Sequence, residues 1–181
     1  VYYYQPKIET PEEALVVAHL LSELESLIGV KRGTIKIKML NERGRYAANQ
    51  VPIMWVLKHW LIGPNVGRWD YMNSLIEMFK DDPDMVFPDP HTITMTAPIM
   101  TEYTRRNALL TLLVGGQPTG GMSAVMKNPA ATPAQNASAV RSMWFDKLRE
   151  RLTGLFDIEG KLHDTYRQSW VATTEDEYVR A

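Results

Sequence analysis

The sequence predicts an α/β chain built on a parallel sheet, and three observations carry that reading. Short aromatic or β-branched runs alternate with helical segments five times along the 181 residues. Two of the strand readings, Thr34 to Glu42 and Asn65 to Asp70, each close on a carboxylate. Between them Arg45 to Leu61 has helical spacing, so both carboxylates fall at strand C-termini, the rim where parallel sheets bind ligands.

Val1 to Ile8 is aromatic and β-branched and reads as the first strand, leaving through Pro6-Lys7-Ile8-Glu9. Thr10 is a natural N-cap, Pro11 suits the first helical position, and Glu12 and Glu13 suit the positive end of the helix. The helix carries Leu15, Ala18, Leu21, Leu24 and Ile28 at helical spacing and stops at Gly29. Residues 34 to 40 alternate, which marks either a half-buried strand or, in a closed parallel barrel, one with a side facing the helices and a side filling the barrel. Tyr46 to Leu61 is helical despite Pro52, and Ile62-Gly63-Pro64 is expected to break it before the next strand. Tyr71 to Lys80 reads as a short helix, and Asp81 to His91, with three prolines, as a loop. A helix is expected from Thr96 to Val114 with Pro98 in its first turn, stopped by Gly115-Gly116. The glycine-rich run to Met122 then leads into a fourth strand ending at Met126. Lys127 to Thr132 reads as loop, Gln135 to Leu155 as a long helix, and Gln168 to Ala172 as a fifth strand. Five such units fall short of the eight that close a (β/α)₈ barrel, leaving open sheet edges for other chain to cover.

Composition narrows the function classes. Hydrophobic residues make up 45% and charged residues 23%, which describes a globular chain with a sizeable core. The formal net charge is −1 with no basic block, so nucleic acid and membrane surfaces are not expected partners. Cysteine is absent, which excludes disulfides and thiolate metal sites and fits a cytosolic protein. No apolar run has the length of a spanning helix. The four histidines, His19, His59, His91 and His163, have no metal-pair spacing, and no Ser/His/Asp grouping supports nucleophilic hydrolysis. The methionines and tryptophans read as core filling.

Glu42 and Asp70 are therefore the leading candidates: two hard carboxylates at one rim suit a divalent cation of the Mg²⁺ type. Spacing alone also allows an ordinary surface carboxylate pair. Arg68 reads equally as a salt bridge at the strand exit, Trp69 as core, and Lys7 and Glu9 as supporting groups behind the site.

At these residues the chain resembles malate synthases and, more distantly, the citrate-lyase β-subunit and malyl-CoA lyase enzymes. Pro6-Lys-Ile-Glu9 with Thr10-Pro-Glu-Glu-Ala14, Arg32-Gly-Thr-Ile-Lys36 leading to Glu42, and Gly67-Arg-Trp-Asp-Tyr71 are similar to family segments. So are Thr94-Met-Thr-Ala-Pro98, Gly120-Gly-Met-Ser-Ala124 and Trp170-Val-Ala172, in the same order. The resemblance implies the central portion of a TIM-type barrel over residues 1–181, lacking the barrel's N-terminal strands and a C-terminal helical domain. A chain that opens on Val1 inside a strand-like run agrees with a piece of something longer.

By the same resemblance, Mg²⁺ is held by Glu42 and Asp70, and glyoxylate by backbone around Gly67, Arg68, Trp69 and Asp70. Pro98, Gly120 and Gly121 would shape a channel for acetyl-CoA. The implied reaction condenses acetyl-CoA with glyoxylate to give malate and CoA, in the cytoplasm or, in a eukaryote, a glyoxysome or peroxisome. No catalytic residue is expected within the segment, because the family's polarising arginine and aspartate base belong to flanking chain, or another subunit must complete the barrel. Two departures stand out: Thr173-Thr174 replaces the family's His-Pro after Trp-Val-Ala, and Arg43-Gly44-Arg45 makes an unusually basic turn. They keep two alternatives in view, a lyase for malyl-, citramalyl- or citryl-CoA thioesters and a non-catalytic barrel piece.

Overall fold

The structure is a computed structural model that describes residues 1–90, 92–120 and 127–153, with side chains described as far as 145. Its order is β1 (Tyr2–Gln5), α1 (Pro11–Leu27), β2 (Lys36–Asn41), α2 (Gly44–Val56), β3 (Leu61–Val66), α3 (Arg68–Phe79), α4 (Pro98–Leu113) and α5 (Pro133–Thr153). The strands form a parallel sheet in the order β1-β2-β3, with α1 and α2 as crossovers. This is the expected α/β barrel architecture over the part described. Residues 117–119, in the described start of the expected fourth strand, continue it: Gln117 N–H donates to Ile62 O and Thr119 N–H to Pro64 O. The rest of that strand, and all of the expected fifth, lie outside the described residues.

The alternation in β2 is realised in full. Ile35, Ile37 and Met39 are buried against the helices, while Lys36, Lys38 and Leu40 sit half-buried on the opposite face. The helix-side core adds Ala14, Leu21, Tyr46, Ile53, Leu57 and Trp60. Each such large side chain contributes roughly 1.5–3 kcal/mol by leaving water. Thr10 caps α1 as expected, in a reciprocal capping box with Glu13, and Gly29 (φ +72°) ends the helix. The inward stripe is rotated from the expected one: Leu15 and Ile28 are exposed, and Ala14, Leu21 and Glu25 are buried. Of the tryptophans, Trp60 is core, whereas Trp69 and Trp144 are about half exposed and Trp55 more so.

The boundaries around β3 differ most from expectation. The helix before it ends at Val56, and Ile62-Gly63-Pro64 lies inside the strand. Composition conceals this because Gly63 is there for space: a Cβ would fall 1.9 Å from Gln117 O. Pro64 is tolerated in a strand whose pairing with β2 is already irregular at Ile37/Lys38. At the other end β3 stops at Val66 rather than Asp70, and α3 starts at once. The first strand is likewise shorter than Val1 to Ile8.

Two buried polar clusters fix the layers. Glu25, 2% exposed, accepts from Gly33 N–H (2.8 Å), Ile35 N–H (2.7 Å) and Trp60 Nε1–H (2.9 Å). Burial alone would raise its carboxyl, but these donors outweigh it and hold Glu25 below the usual glutamate range. Asn41 donates to Gln50 Oε1 (3.2 Å) and Asn107 Oδ1 (2.9 Å), and Gln50 donates to Thr111 Oγ1 (3.1 Å), tying β2, α2 and α4 together.

Replacing Glu25 by alanine strands three donors and is expected to cost about 3 kcal/mol in denaturant unfolding of the protein carrying this chain. Glu25→Gln also destabilises, because its amide nitrogen must face an N–H. A carboxyl held low in the fold contributes stability that is complete above the ordinary glutamate range and lost as pH falls through its folded value. That acid-side loss should be smaller in Glu25→Gln. Gly63→Ala should displace the backbone at 117 and lower the thermal midpoint, whereas Gly29→Ala, with open space around it, costs only its left-handed backbone.

Candidate active site

Three chain exits meet at the C-terminal rim of the sheet. After β1, Pro6 leads to Lys7, a non-glycine residue with φ 61°. That rare backbone aims both its N–H and its side chain at Glu42. Glu42 directly follows β2 and is 4% exposed. Its Oε1 accepts from Lys7 N–H at 3.2 Å and lies 3.5 Å from Lys7 Nζ. After β3, Gly67 lies flat against Glu42, where a Cβ would stand 2.8 Å from Glu42 Cβ. Gly67 N–H donates to Asn41 O (3.3 Å) and to Tyr103 Oη (3.1 Å), closing the strand and starting α3.

Asp70 therefore sits in the first turn of α3, not at a strand end. An acidic side chain there is stabilised by the helix dipole. The strand reading failed because Gly67-Arg68-Trp69 carries no turn proline or polar cap, and the cap is the bare backbone of Gly67. The two carboxylates still come together: Lys7 Nζ forms an ion pair with Asp70 Oδ1 as well as with Glu42 Oε1. Burial raises the Glu42 carboxyl, Lys7 lowers it, and Asp70 raises it again, leaving it above the usual range. The hydrogen bond to Asp70 leads the effects that raise the Lys7 ammonium.

The remaining site candidates separate. Arg68 Nη1 donates to Ile93 O (3.1 Å) and the guanidinium stacks over Trp69 at 4.2 Å, so Arg68 ties α3 to the segment leading into α4. Trp69 is half-exposed beside it. The Gly67 N–H is engaged by Asn41 O and Tyr103 Oη, and its missing side chain makes room for Glu42. Pro98 opens α4, Gly120 lies beyond the segment pairing with β3, and Gly121 falls outside the described residues. Glu9 is held by Arg43 (2.7 Å), which also reaches Glu77 (3.0 Å), giving the basic turn a structural use. Ser74 Oγ accepts from Gly44 N–H (2.8 Å), so α3 caps α2. Among the described residues no group of three or more His, Cys, Asp and Glu gathers for a metal, and no helix is long and apolar enough to cross a membrane.

Two contributors escaped the sequence reading. Lys7 was placed behind the site, yet it bridges both carboxylates. Tyr103 is buried and stacked on Tyr71 (ring centroids 3.8 Å apart), and burial raises its phenol so that it stays protonated. Nothing in local sequence marks it, since Tyr103 is 36 residues from the Gly67 amide it holds.

Known proteins share this arrangement of sequence. A malate synthase from Streptomyces clavuligerus is 33% identical over 172 residues, covering 94% of this chain and 30% of that protein. A bifunctional glyoxylate cycle protein from Caenorhabditis elegans is 37% identical over 171 residues, 94% of this chain and 16% of that protein. Malate synthase A of Escherichia coli K12 is 31% identical over 153 residues, 84% of this chain and 28% of that protein. The chain thus spans less than a third of the length of these relatives. A solved citrate lyase from Burkholderia xenovorans superposes with a TM-score of 0.54 at 13% identity, over 99% of this chain and 64% of that one, which speaks to the fold. The family model described as the malate synthase TIM barrel domain matches residues 1–159, and the chain belongs to that family.

Proposed function

We propose that this chain supplies the metal and glyoxylate portion of a malate synthase active site, in a protein that condenses acetyl-CoA with glyoxylate to malate and CoA. One observation carries the reading: carboxylates from two successive β/α units, Glu42 and Asp70, converge on a single cationic atom at the sheet rim. The donor set fits Mg²⁺, being two hard anionic oxygen ligands that leave room for substrate oxygens and water. The raised Glu42 carboxyl, buried beside a second carboxylate, is one that a strong positive partner would stabilise. Bound there, Mg²⁺ would supply Lewis acidity that polarises the glyoxylate aldehyde.

The chain's own residues do the positioning. Glu42 is held in place by Lys7 N–H and by the close backbone of Gly67. Tyr103 anchors Gly67 and so sets where α3 begins. The first turn of α3, at Trp69 and Asp70, directs its positive end toward the rim, which suits the carboxylate of glyoxylate. Residues 1–181 are the central part of the barrel in this reading, with the enolate-forming base and polarising arginine supplied by flanking chain. Pro98, Gly120 and Gly121 shape the CoA channel in this reading.

In calorimetric titrations, glyoxylate should tighten Mg²⁺ binding. Asp70→Asn and Glu42→Gln should each weaken it by more than about tenfold, since even groups that only orient metal ligands are worth that much. Mg²⁺ binding unaffected by either substitution would remove the metal reading. Cleavage of malyl- or citramalyl-CoA without glyoxylate-dependent synthesis would replace the synthase by a lyase. Tyr103→Phe removes the acceptor for Gly67 N–H; it should cost about 1 kcal/mol of stability and raise KM for glyoxylate more than it lowers kcat.

A further inference from the structure

We infer that Lys7 is a tethered counter-cation, its ammonium offsetting part of the negative charge of Glu42 and Asp70 until a divalent cation takes its place. The inference rests on the proposed metal site and concerns what stands there beforehand. Three features carry it. The Lys7 ammonium touches both carboxylates and so bridges two successive β/α units. The backbone of Lys7 holds the left-handed φ of 61°, a conformation that side chains other than glycine rarely keep without a local reason. Its N–H bonds Glu42 independently of the side chain, so the ammonium can leave without releasing the buried carboxylate.

Exchange is physically cheap in one direction. The Lys7 and Asp70 side chains are about half exposed, at 52% and 48%, and ion pairs at such exposure are weak. A dication at the same place attracts each carboxylate with twice the charge of an ammonium. The flexible lysine stem lets Nζ swing toward solvent at the barrel rim. Without a cation the trio carries one net negative charge. After exchange the same residues with the dication carry one net positive charge, which suits a monoanionic substrate. Lys7 thereby sets the order of assembly: an anionic ligand is repelled until the cation has arrived.

The test uses Lys7→Met, which keeps length and removes charge, in the protein carrying this chain. Calorimetry should show Mg²⁺ bound several-fold more tightly than by the wild type, the worth of one unit charge a few ångströms away in a largely aqueous setting. The EDTA-treated variant should melt below the EDTA-treated wild type, and Mg²⁺ should close the gap. A second measurement needs no variant: acetic anhydride labelling of the wild type, read by mass spectrometry. Mg²⁺ should raise modification of Lys7 several-fold relative to Lys31, which is exposed on the turn after α1. Unchanged or weaker Mg²⁺ binding by Lys7→Met, or Lys7 labelling that does not rise, overturns the exchange while Asp70-dependent Mg²⁺ binding leaves the metal site standing. Absence of any Asp70-dependent Mg²⁺ binding in the wild type overturns both.

Discussion

The close approach of Gly67 to Glu42 is the constraint on which the rim depends. The nearly buried Glu42 side chain is covered on one side by the residue after β3, where a Cβ would stand 2.8 Å from Glu42 Cβ and only glycine fits. That contact ends the strand, because Gly67 N–H is taken by Asn41 O and Tyr103 Oη. It also makes Gly67 the N-cap of α3, which puts Asp70 three residues later in the first helical turn. One glycine therefore fixes the burial of one carboxylate and the placement of the other.

Beneath the rim, polar groups rather than apolar ones decide the register of the layers. Apolar packing between the sheet and α1 and α2 is tolerant of small slides. The Glu25 cluster is not, since three donors from two loops must reach two oxygens of one side chain. The Asn41–Gln50–Asn107–Thr111 network plays the same part for α4, which reaches β2 from 66 residues along the chain. Such networks specify one arrangement because partial satisfaction is costly. Their location, one at each end of β2, holds the central strand along its whole length.

Much of this was legible in the sequence where the cause is local. The Thr10-Pro11 start, the Gly29 stop and the alternation of Ile35, Ile37 and Met39 depend on neighbours a few residues away. The pairing of Glu42 with Asp70 was legible as well, because two consecutive units of a parallel sheet must end on one rim. What escaped has a distant cause. Gly63 and Pro64 looked like a break, but Gln117 explains the glycine and the pairing with β2 and residues 117–119 keeps the strand. Asp70 looked like a strand end, because the helix cap is a backbone carbonyl. Glu25 continues the helical period of Ala14, Ala18 and Leu21, a signal easily passed over since glutamate is ordinarily a surface residue. Lys7 and Tyr103 act across 35 and 36 residues, and no local pattern announces either.

The position of Asp70 on a helix gives the fold an asymmetric capacity to diverge. Glu42 is bound into the sheet, so changes near it disturb the core. Asp70 rides on α3, whose Leu75 and Met78 lie against Gly44 and whose Ser74 rests on the start of α2. Modest changes in the size of those side chains tilt or slide the helix and re-aim its first turn while every strand stays in register. A lineage built on this scaffold thus has one anchored carboxylate and one adjustable carboxylate. It can re-aim an acidic group at the rim by repacking a helix, with the barrel's architecture held constant.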